Sequence, residues 1–355
     1  MKNRSIVKRF FAIAAAGAMT LALCACNSGA VSSSDGPTAT VGGSGEPSQS
    51  GGDKTTYKVA IIKQMDHASL DEIAGAVGGE LERLAKDNGV TIQYEIASGQ
   101  NDQSTLKQLA DQAIADGADV IVPIATTAAK VAALSAEDTK TPVVFAAVSY
   151  PDEESVALTG IDYVTGTSDA LNTRAIIDLM LAQDPDLSKV GLLYSLSEDN
   201  SARPIAEAKE YLDSKGIAYT EQTANSNDEV IAAASALIAE GVDAVFTPTD
   251  NVIQSAELAI YESFIQAGVL HYGGADSFAR NGAFAGCGVN YTLLGKQTAG
   301  LAYDVLTQGM DGMEDYYLLE GGIITVNTET AAALKADYSA FSGLGTVAEV
   351  VTTED

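Results

Sequence analysis

The sequence has no Trp, two His and three Cys, and its 20 Lys and Arg are outnumbered by 48 Asp and Glu. With a formal net charge of −28, few cations are available to neutralise phosphates, which argues against nucleic-acid binding. Two distant His cannot assemble a typical zinc site. However, 46% of the 355 residues are apolar, so a sizeable core can form, and the length predicts about two lobes.

Motifs typical of enzymes are also missing. The stretch 166–170, GTSDA, approaches a nucleophile elbow but ends in Ala, and we expect Ser168 to cap a helix that begins there. The segment from Gly288 to Lys296 resembles a phosphate loop only superficially, since Gln297 stands where Ser or Thr is required. We therefore expect no enzymatic activity, no cofactor and no metal site.

The N-terminal segment resembles a bacterial lipoprotein signal. Four cations in residues 2–9 precede an apolar run over 10–23, which is shorter than the roughly 20 residues of a transmembrane helix. The run ends in Leu23-Cys24-Ala25-Cys26, with Leu three positions before Cys26 and a small residue directly before it. We predict that residues 1–25 are removed and that Cys26 is lipidated; an uncleaved membrane anchor is the alternative.

The next segment predicts a flexible tether over residues 26–56. Residues 27–56 contain 20 Ser, Gly, Thr or Pro out of 30, so they cannot bury enough surface to offset their chain entropy. Such a chain spans roughly 30 Å. Loss of Cys24 and lipidation of Cys26 leave Cys287 without an intramolecular partner, and we expect it to be a small buried residue.

From Tyr57 onward, apolar β-rich runs alternate with helical patterns, which is typical of a parallel sheet covered on both faces. The predicted strands are 58–62, 90–94, 119–124, 142–146, 190–194, 218–220, 244–247 and 269–272. Helices are predicted between them, for example near 201–215, 228–240 and 251–267. The segments 116–121 and 240–245 each read as a helix end, a Gly cap and a buried strand. The fold class is therefore α/β, with two similar doubly wound lobes.

Polar residues follow each predicted strand. In doubly wound sheets ligands bind at the carboxyl ends of strands, so we expect these turns to form a polar cage for a small molecule. The turns are QMDH (64–67), SGQ (98–100), ATTA (125–128), VSYP (148–151), SLSEDNS (195–201), NS (225–226), PTDN (248–251) and GGADS (273–277).

Six segments in this order resemble the substrate-binding lipoproteins of ABC importers with a type I periplasmic-binding fold, in particular the group associated with tryptophan and tyrosine import. They are IIKQMDHASLD (61–71), IATTAAKVAA (124–133), VVFAAVSYP (143–151), VGLLYSLSEDNSA (190–202), FTPTDN (246–251) and GVNYTLLGKQTA (288–299). The chain departs from the family at Ala68, where Pro usually follows the His, and at Tyr150-Pro151, where Asp-Pro is usual. Both departures lie at the expected cleft and bear on ligand identity.

The resemblance implies two lobes joined by a three-segment hinge, with a ligand held between them. We place the first lobe at 57–165 and 284–312, and the second at 166–283 and 313–355. We expect a lipid-anchored monomer on the extracytoplasmic face of the cell membrane that hands a small molecule, an amino acid and possibly an aromatic one, to an ABC permease and its ATPase. The alternatives are a sensing or adhesion lipoprotein of the same fold, or a sugar receptor, which the absence of Trp disfavours.

For an α-amino acid, Thr126, Thr127 and the following helix N-terminus are candidates for the carboxylate. Asp250 and Asp276 are candidates for the ammonium, although each is equally able to form a cap or turn. The full set of candidate ligand-binding residues is Gln64, His67, Thr126, Thr127, Ser149, Tyr150, Glu198, Asn200, Ser201, Asp250, Asn251, Asp276 and Tyr291. An aromatic side chain would meet Tyr150, Tyr194, Met65 or Tyr291, whereas we expect His271 to be structural.

Overall fold

The computed structural model describes residues 55–353. The predictions for residues 1–54, including lipidation of Cys26, lie outside the described residues. Both sheets belong to one compact unit. None of the helices in the described part of the chain combines the length and apolar composition that crossing a bilayer requires.

The first sheet has six parallel strands in the order β11-β5-β4-β3-β1-β2. Its strands are β1 (Thr56–Lys63), β2 (Thr91–Ser98), β3 (Val120–Ile124), β4 (Val143–Phe145), β5 (Val164–Ser168) and β11 (Tyr317–Leu318). The helices that pack on it are α1 (Ala68–Asn88), α2 (Gln103–Ala115), α3 (Thr126–Ser135) and α9 (Tyr291–Gln308). We call this sheet and its helices the first lobe.

The second sheet has seven strands in the order β13-β12-β10-β9-β8-β6-β7, and only the β10–β12 pair is antiparallel. Its strands are β6 (Lys189–Tyr194), β7 (Ala218–Thr223), β8 (Ala244–Thr247), β9 (Leu270–Gly273), β10 (Ala285–Gly288), β12 (Ile323–Asn327) and β13 (Thr346–Val350). Its helices are α4 (Thr173–Gln183), α5 (Asp199–Lys215), α6 (Asn227–Ala239), α7 (Asn251–Ala267), α8 (Asp276–Arg280) and α10 (Thr328–Leu334), with a 3₁₀ helix at Ser339–Gly343. These elements form the second lobe.

The predicted fold class is confirmed. All the apolar runs predicted as strands form strands, and the two lobes repeat one strand order, β2-β1-β3-β4-β5 and β7-β6-β8-β9-β10. The predicted helix–Gly–strand counterparts also match: Gly117 and Gly241 have φ of 74° and 68° and lie three residues before the starts of β3 and β8. The chain passes between the sheets after β5, β10 and β11. The residues at which the lobes were divided stay a prediction.

The expectation for Ser168 is wrong. Ser168 is the last residue of β5, and α4 begins only at Thr173, where the side chain of Asn172 accepts a hydrogen bond from the N–H of Ala175. Strand β5 has a polar sequence, VTGTS, although every residue in it is buried. Its Thr hydroxyls are satisfied internally, since Thr165 donates to the carbonyl of Glu314 and Thr167 pairs with Thr298. These hydrogen bonds to residues distant in sequence stand in place of the apolar pattern from which the eight strands were predicted.

Candidate functional site

The loops after the strands enclose a cavity between the two lobes. Its volume is about 20 Å³, enough for about one water molecule. A larger solute therefore enters only when the lobes move apart. The lining consists of His67, Ser69, Leu70, Ile73, Ala125, Thr126, Ala147, Ser149, Asp169, Asn200, Thr249, Asp250, Asn251, Gln254, Ala275, Phe278 and Tyr291.

The strand order explains why these loops meet. In each sheet the order reverses beside the first strand of the lobe, between β1 and β3 and between β6 and β8. Loops that leave neighbouring strands in opposite directions at such a point create a crevice at the carboxyl ends. His67 follows β1, Thr126 follows β3, and Asp250 follows β8. The two crevices face each other across the cavity.

Asp169 is the acidic residue that the first lobe contributes to the lining. Ser149 Oγ donates to Asp169 Oδ1 over 2.8 Å, and Tyr291 Oη donates to Asp169 Oδ2 over 3.1 Å. Burial raises the pKa of the Asp169 carboxyl above its usual range. Because each carboxylate oxygen can accept two hydrogen bonds, Asp169 retains acceptor capacity toward the cavity.

Asp250 is the corresponding carboxylate of the second lobe, and it accepts hydrogen bonds from backbone N–H groups as well as from a hydroxyl. Its Oδ1 accepts from the N–H of Ile253 at 3.0 Å, which caps α7. Its Oδ2 accepts from the N–H of Ser195 at 2.6 Å and from Ser201 Oγ at 2.7 Å. Burial raises the pKa of Asp250 as well. The side chain thus holds together the starts of α5 and α7 and the end of β6.

A chain of hydrogen bonds crosses the cleft beside these carboxylates. Gln64 Nε2 donates to Glu198 Oε1 at 2.7 Å, Asn251 Nδ2 donates to Glu198 Oε2 at 2.6 Å, and Asn251 Oδ1 contacts His67 Nε2 at 2.9 Å. Burial and the nearby Asp250 raise the pKa of Glu198 to about 8, which the N–H donors from Gln64 and Asn251 oppose. Burial lowers the pKa of His67 to about 4, so its imidazole is neutral at pH 7.

Two second-lobe amides that line the cavity each have a buried atom without a hydrogen-bond partner. Asn200 Nδ2 donates to the carbonyl of Thr249 at 2.6 Å, which leaves Asn200 Oδ1 buried and unpaired. A carbonyl only accepts, so this bond fixes the orientation of the amide. Gln254 Oε1 accepts from Ser277 Oγ at 3.0 Å, and Gln254 Nε2 is buried and unpaired. Polar atoms buried without partners are costly, which indicates that a ligand satisfies them.

The start of α3 differs from the start of α7. Its N-cap residue is Ala125, which offers no side-chain cap and has φ 78° and ψ 162°, a region that essentially only Gly adopts. The first N–H groups of a helix have no intrahelical partners and carry partial positive charge. One of them, on Thr127, contacts Gln64 Oε1 at 3.3 Å. The strained start therefore turns an uncapped helix end toward the cleft.

Several contacts join the lobes around the cavity. Ser149 Oγ lies 3.3 Å from Thr249 Oγ1, and Ser69 Oγ lies 2.5 Å from Ser277 Oγ. Ion pairs at the cleft are formed by Lys130 with Asp199 and by Arg280 with Glu72. The structure is thus a closed arrangement of the two lobes.

The structure brings most of the predicted residues together. His67, Thr126, Ser149, Asn200, Asp250, Asn251 and Tyr291 line the cavity. Glu198 and Ser201 hydrogen-bond lining residues, and Gln64 hydrogen-bonds Glu198. Thr127 lines a neighbouring groove between the lobes. That these residues contact a ligand stays a prediction.

Tyr150 and Asp276 lie outside the lining. The Tyr150 hydroxyl contacts the backbone of Leu171, and the guanidinium of Arg203 lies 4.7 Å from its ring centroid. Asp276 pairs with Arg280 at 3.1 Å. Of the other candidates for an aromatic wall, Tyr194 and Met65 are also absent from the lining.

The sequence analysis missed five lining residues with side chains suited to binding: Ser69, Asp169, Thr249, Gln254 and Phe278. Asp169 and Thr249 carry the same signal as the predicted residues, since each closely follows a buried strand. Gln254 lies within α7 and Phe278 within α8. Their place on the cavity depends on helix direction, which the sequence pattern does not give.

Neither metal ligation nor thiol chemistry is indicated. Within residues 55–353, no group of three or more His, Cys, Asp and Glu is placed to hold a metal ion. Cys287 is buried in the core of the second lobe, and burial raises the pKa of its thiol to about 11. A protonated, buried thiol is a poor nucleophile.

Two facing α/β lobes that close on a polar cavity define a solute-binding protein, and comparison with known proteins identifies the family. Residues 58–335 match the model of the ABC transporter substrate-binding proteins, and the chain belongs to this family. Proteins of this family capture a solute on the extracytoplasmic side of the membrane for delivery to an ABC permease.

Relatives and solved structures agree with this assignment. A tyrosine-binding protein of Clostridioides difficile is 27% identical over 285 residues, which cover 79% of this chain and 81% of the relative. A Streptococcus pneumoniae ABC domain in complex with L-Trp is 26% identical, with a TM-score of 0.75 over 83% of this chain and all of the other.

A third comparison bears on conformation. The ligand-free, open structure of a substrate-binding protein with adhesive properties from Clostridium difficile is 25% identical, and its TM-score is 0.63 over 84% of this chain and 100% of the other. Although the two proteins are nearly equally identical to the present chain, the structure of this chain is more similar to the L-Trp complex than to the open form. This difference agrees with the closed cavity.

Proposed function

We propose that the protein captures an α-amino acid with an aromatic side chain, by closing its two lobes on it, and that it has no catalytic role. The observation that carries this proposal is the charge of the cavity. Asp169 and Asp250 line it, whereas none of the described lining residues is Lys or Arg. Buried acidic groups without cations favour a ligand that brings its own positive charge.

Asp169 and Asn200 are suited to bind the ligand's ammonium group. Asp169 is fixed within the first lobe by Ser149 and Tyr291, and Asn200 within the second lobe by the Thr249 carbonyl. Because these bonds do not cross the cleft, both acceptors keep their orientation when the lobes separate. An ammonium with three N–H donors would bridge the lobes and so stabilise the closed form.

The ligand's carboxylate would bind at the start of α3. This helix offers backbone N–H groups and the Thr126 hydroxyl, and its N-cap residue Ala125 supplies no competing side-chain cap. Helix N-termini bind anions without a cationic side chain. The lack of Lys and Arg in the lining is therefore compatible with a zwitterionic ligand.

The apolar part of the lining fits an aromatic side chain. Leu70 and Ile73 of α1 face the cavity together with Phe278 of α8 and the ring of Tyr291. Aromatic rings gain both from burial and from edge or stacking contacts with Phe and Tyr. The relatives described as tyrosine-binding and as an L-Trp complex support the same ligand class.

We also propose that the mature protein is a monomer anchored by lipid on Cys26, with residues 26–56 as the tether between the membrane and the two lobes. Removal of residues 1–25 takes away four of the 20 basic residues and none of the 48 acidic ones, and so acidic a protein is repelled by anionic membranes, so a covalent anchor is needed to hold it there. Metabolic labelling with a radioactive fatty acid tests this point. Label in the wild-type protein and none in Cys26→Ser is expected, and label in both would contradict it.

A thermal-shift screen of the purified protein against amino acids, nucleosides and sugars tests the ligand class. A ligand at 100 times its Kd stabilises the folded protein by about 2.7 kcal/mol, which is readily detected. Stabilisation by aromatic amino acids is expected. A shift with sugars and with no amino acid would overturn the proposal.

Delivery and adhesion are separated by a different experiment. Deletion of the cognate permease abolishes uptake of the ligand if the protein serves transport. Uptake that is unaffected, together with a loss of adhesion by cells that lack this protein, would favour a role like the adhesive properties described for the Clostridium difficile protein.

A further inference from the structure

Two buried polar atoms beside the apolar wall have no hydrogen-bond partner: His67 Nδ1 from the first lobe and Gln254 Nε2 from the second. Both residues line the cavity, as do Leu70, Ile73 and Phe278. Part of the His67 side chain reaches solvent, but its Nδ1 atom is buried, and Gln254 as a whole is 2% exposed. The ammonium site at Asp169 uses neither atom.

These two atoms belong to one local junction between the lobes. His67 contacts Asn251, which precedes Gln254 by three residues on α7, and residues three apart lie on the same helix face. Ser69, two residues after His67, contacts Ser277, and Ser277 donates to Gln254. The bonds therefore place His67 and Gln254 side by side, next to Phe278 at the start of α8.

The existing bonds determine which atom donates and which accepts. Asn251 Nδ2 donates to Glu198, so Asn251 Oδ1 faces His67 and requires a proton on His67 Nε2. A neutral imidazole carries one N–H, and therefore Nδ1 is an acceptor. Gln254 Oε1 accepts from Ser277, which leaves the Gln254 amide N–H as a donor. The junction thus holds one unpaired acceptor from the first lobe and one unpaired donor from the second, both in residues that line the cavity.

We propose that His67 and Gln254 together bind a hydroxyl group at the end of the ligand's side chain, so that the preferred solute is a phenolic amino acid. This proposal rests on the amino-acid binding proposed above. A phenol hydroxyl donates to His67 Nδ1 and accepts from Gln254 Nε2. An indole N–H can donate to His67 Nδ1 but leaves Gln254 Nε2 without a partner. A phenyl ring leaves both atoms without a hydrogen-bond partner.

The expected order of affinity is tyrosine, then tryptophan, then phenylalanine. Each buried polar group left unpaired weakens binding on the order of 10-fold to 100-fold. A site built to hydrogen-bond a substrate hydroxyl rejects the analogue that lacks it far more strongly than an apolar pocket rejects a change of one methylene. Tyrosine against phenylalanine is the sharper comparison, because the two differ only in this hydroxyl.

The test is calorimetric titration of the purified protein with the three amino acids. A preference of about 100-fold or more for tyrosine over phenylalanine is expected, and equal affinities would overturn the proposal while leaving amino-acid binding intact. If no aromatic amino acid binds, the proposed function itself fails. The two failures are thus distinguishable.

Two variants assign the preference to the junction. In His67→Phe and in Gln254→Met, the preference for tyrosine over phenylalanine should fall on the order of 10-fold to 100-fold, in addition to any loss for both ligands from the broken His67–Asn251 or Gln254–Ser277 bond. The matched control is Gln222→Met. Gln222 lies on the outer strand β7, away from the cavity, and its side chain donates to Glu240. This substitution should change neither affinity. Equal loss for both ligands in His67→Phe or Gln254→Met would contradict a role in specificity.

A spectroscopic measurement on the unaltered protein is independent of folding defects in variants. In ¹⁵N NMR spectra of the phenylalanine complex, the Nδ1 of His67 should have the shift of an unprotonated ring nitrogen. In the tyrosine complex it should move in the direction of a hydrogen-bonded acceptor. A proton on Nδ1 in both complexes would overturn the assignment.

Discussion

The two lobes each place one buried aspartate at the cavity, and the two differ in what satisfies them. Asp250 receives hydrogen bonds from two backbone N–H groups and a hydroxyl of its own lobe, and it caps α7. Asp169 receives only the hydroxyls of Ser149 and Tyr291. Position after a strand is common to both, so position alone does not separate a ligand-binding carboxylate from a structural one.

The helix starts follow the same division. In the first lobe, α3 begins at Thr126, and its strained N-cap residue Ala125 provides no side-chain cap. In the second lobe, α7 begins at Asn251, and the side chain of Asp250 caps it. The first lobe thus leaves both a carboxylate and a helix N-terminus available for a zwitterion. In the second lobe the corresponding carboxylate and helix start bond to each other and to neighbouring residues of that lobe, and so stabilise its fold.

The largest expected effect is on ligand affinity in Asp169→Asn. Removing one partner of a buried charge pair costs 2–5 kcal/mol, so affinity for the preferred amino acid should fall on the order of 100-fold to 1000-fold by calorimetry. The stability of the ligand-free protein should change by no more than about 1 kcal/mol, because only one hydroxyl contact is weakened.

Asp276→Asn is the matched control for this change. Asp276 is a half-buried carboxyl near the cleft, and it pairs with Arg280 outside the lining. Its replacement should leave affinity within about threefold. An equal loss of affinity in both variants would remove the distinction between Asp169 and the other acids of the cleft.

The second prediction concerns Asp250→Ala, which should lower the free energy of unfolding by about 2–4 kcal/mol in urea denaturation. Loss of a helix cap costs about 1 kcal/mol, and the buried N–H of Ser195 and hydroxyl of Ser201 lose their acceptor, which costs about 1–3 kcal/mol. Asp102→Ala removes the exposed cap of α2 and should cost only about 1 kcal/mol. Unchanged stability with lost binding in Asp250→Ala would make Asp250 a ligand residue instead.

These expectations show where sequence reasoning succeeds and where it stops. The alternation of strands and helices predicts both lobes, because burial of a parallel sheet on both faces leaves continuous apolar runs. It misses β5, whose Thr side chains are buried by pairing with Thr298 and the Glu314 carbonyl. Since Asp169 directly follows β5, the missed strand is also the reason for the missed carboxylate.

The roles of the predicted residues depend on bonds that no local pattern contains. Asp250 and Asp276 have the same sequence signal, yet the first binds Ser195, 55 residues away, and the second binds Arg280 in its own short helix. Gln254 and Phe278 reach the cavity from inside helices, and only the packing of α7 and α8 determines this. The sequence predicts which loops meet, and the tertiary contacts decide what each side chain does.

The third prediction is a pH dependence of tyrosine affinity. Burial lowers the pKa of His67 to about 4 in the closed form, below the ordinary value near 6.5 that we expect after opening. The contribution of neutral His67 is therefore complete above about pH 6.5 and is lost as the pH falls toward 4, by at most about tenfold per pH unit. Titrations at pH 7, 6 and 5 measure it.

Other charged groups act on the same titration. Lys63, Asp66 and Asp71 lie near His67 and influence its pKa, and on the second-lobe side Asn251 links it to Glu198. Protonation of Asp169, whose pKa is raised by burial, weakens ammonium binding in the same direction. His67→Phe separates the two, because it should remove the part of the pH dependence that comes from His67 and leave the part that comes from Asp169. A tyrosine affinity of the wild type that does not change between pH 7 and pH 5 would contradict the burial of a neutral His67 in the complex.

The smallest expected effect tests the strained helix start of the first lobe. Ala125 adopts a conformation that costs about 1–3 kcal/mol for a residue with a Cβ, whereas Gly adds about 0.5–1 kcal/mol of unfolded-state entropy. Ala125→Gly should therefore raise the free energy of unfolding by about 1 kcal/mol. Ala232→Gly, at an exposed position inside α6, should lower it by a similar amount. If both variants are destabilised equally, Ala125 is not strained, and the uncapped start of α3 loses the feature that sets it apart from the start of α7.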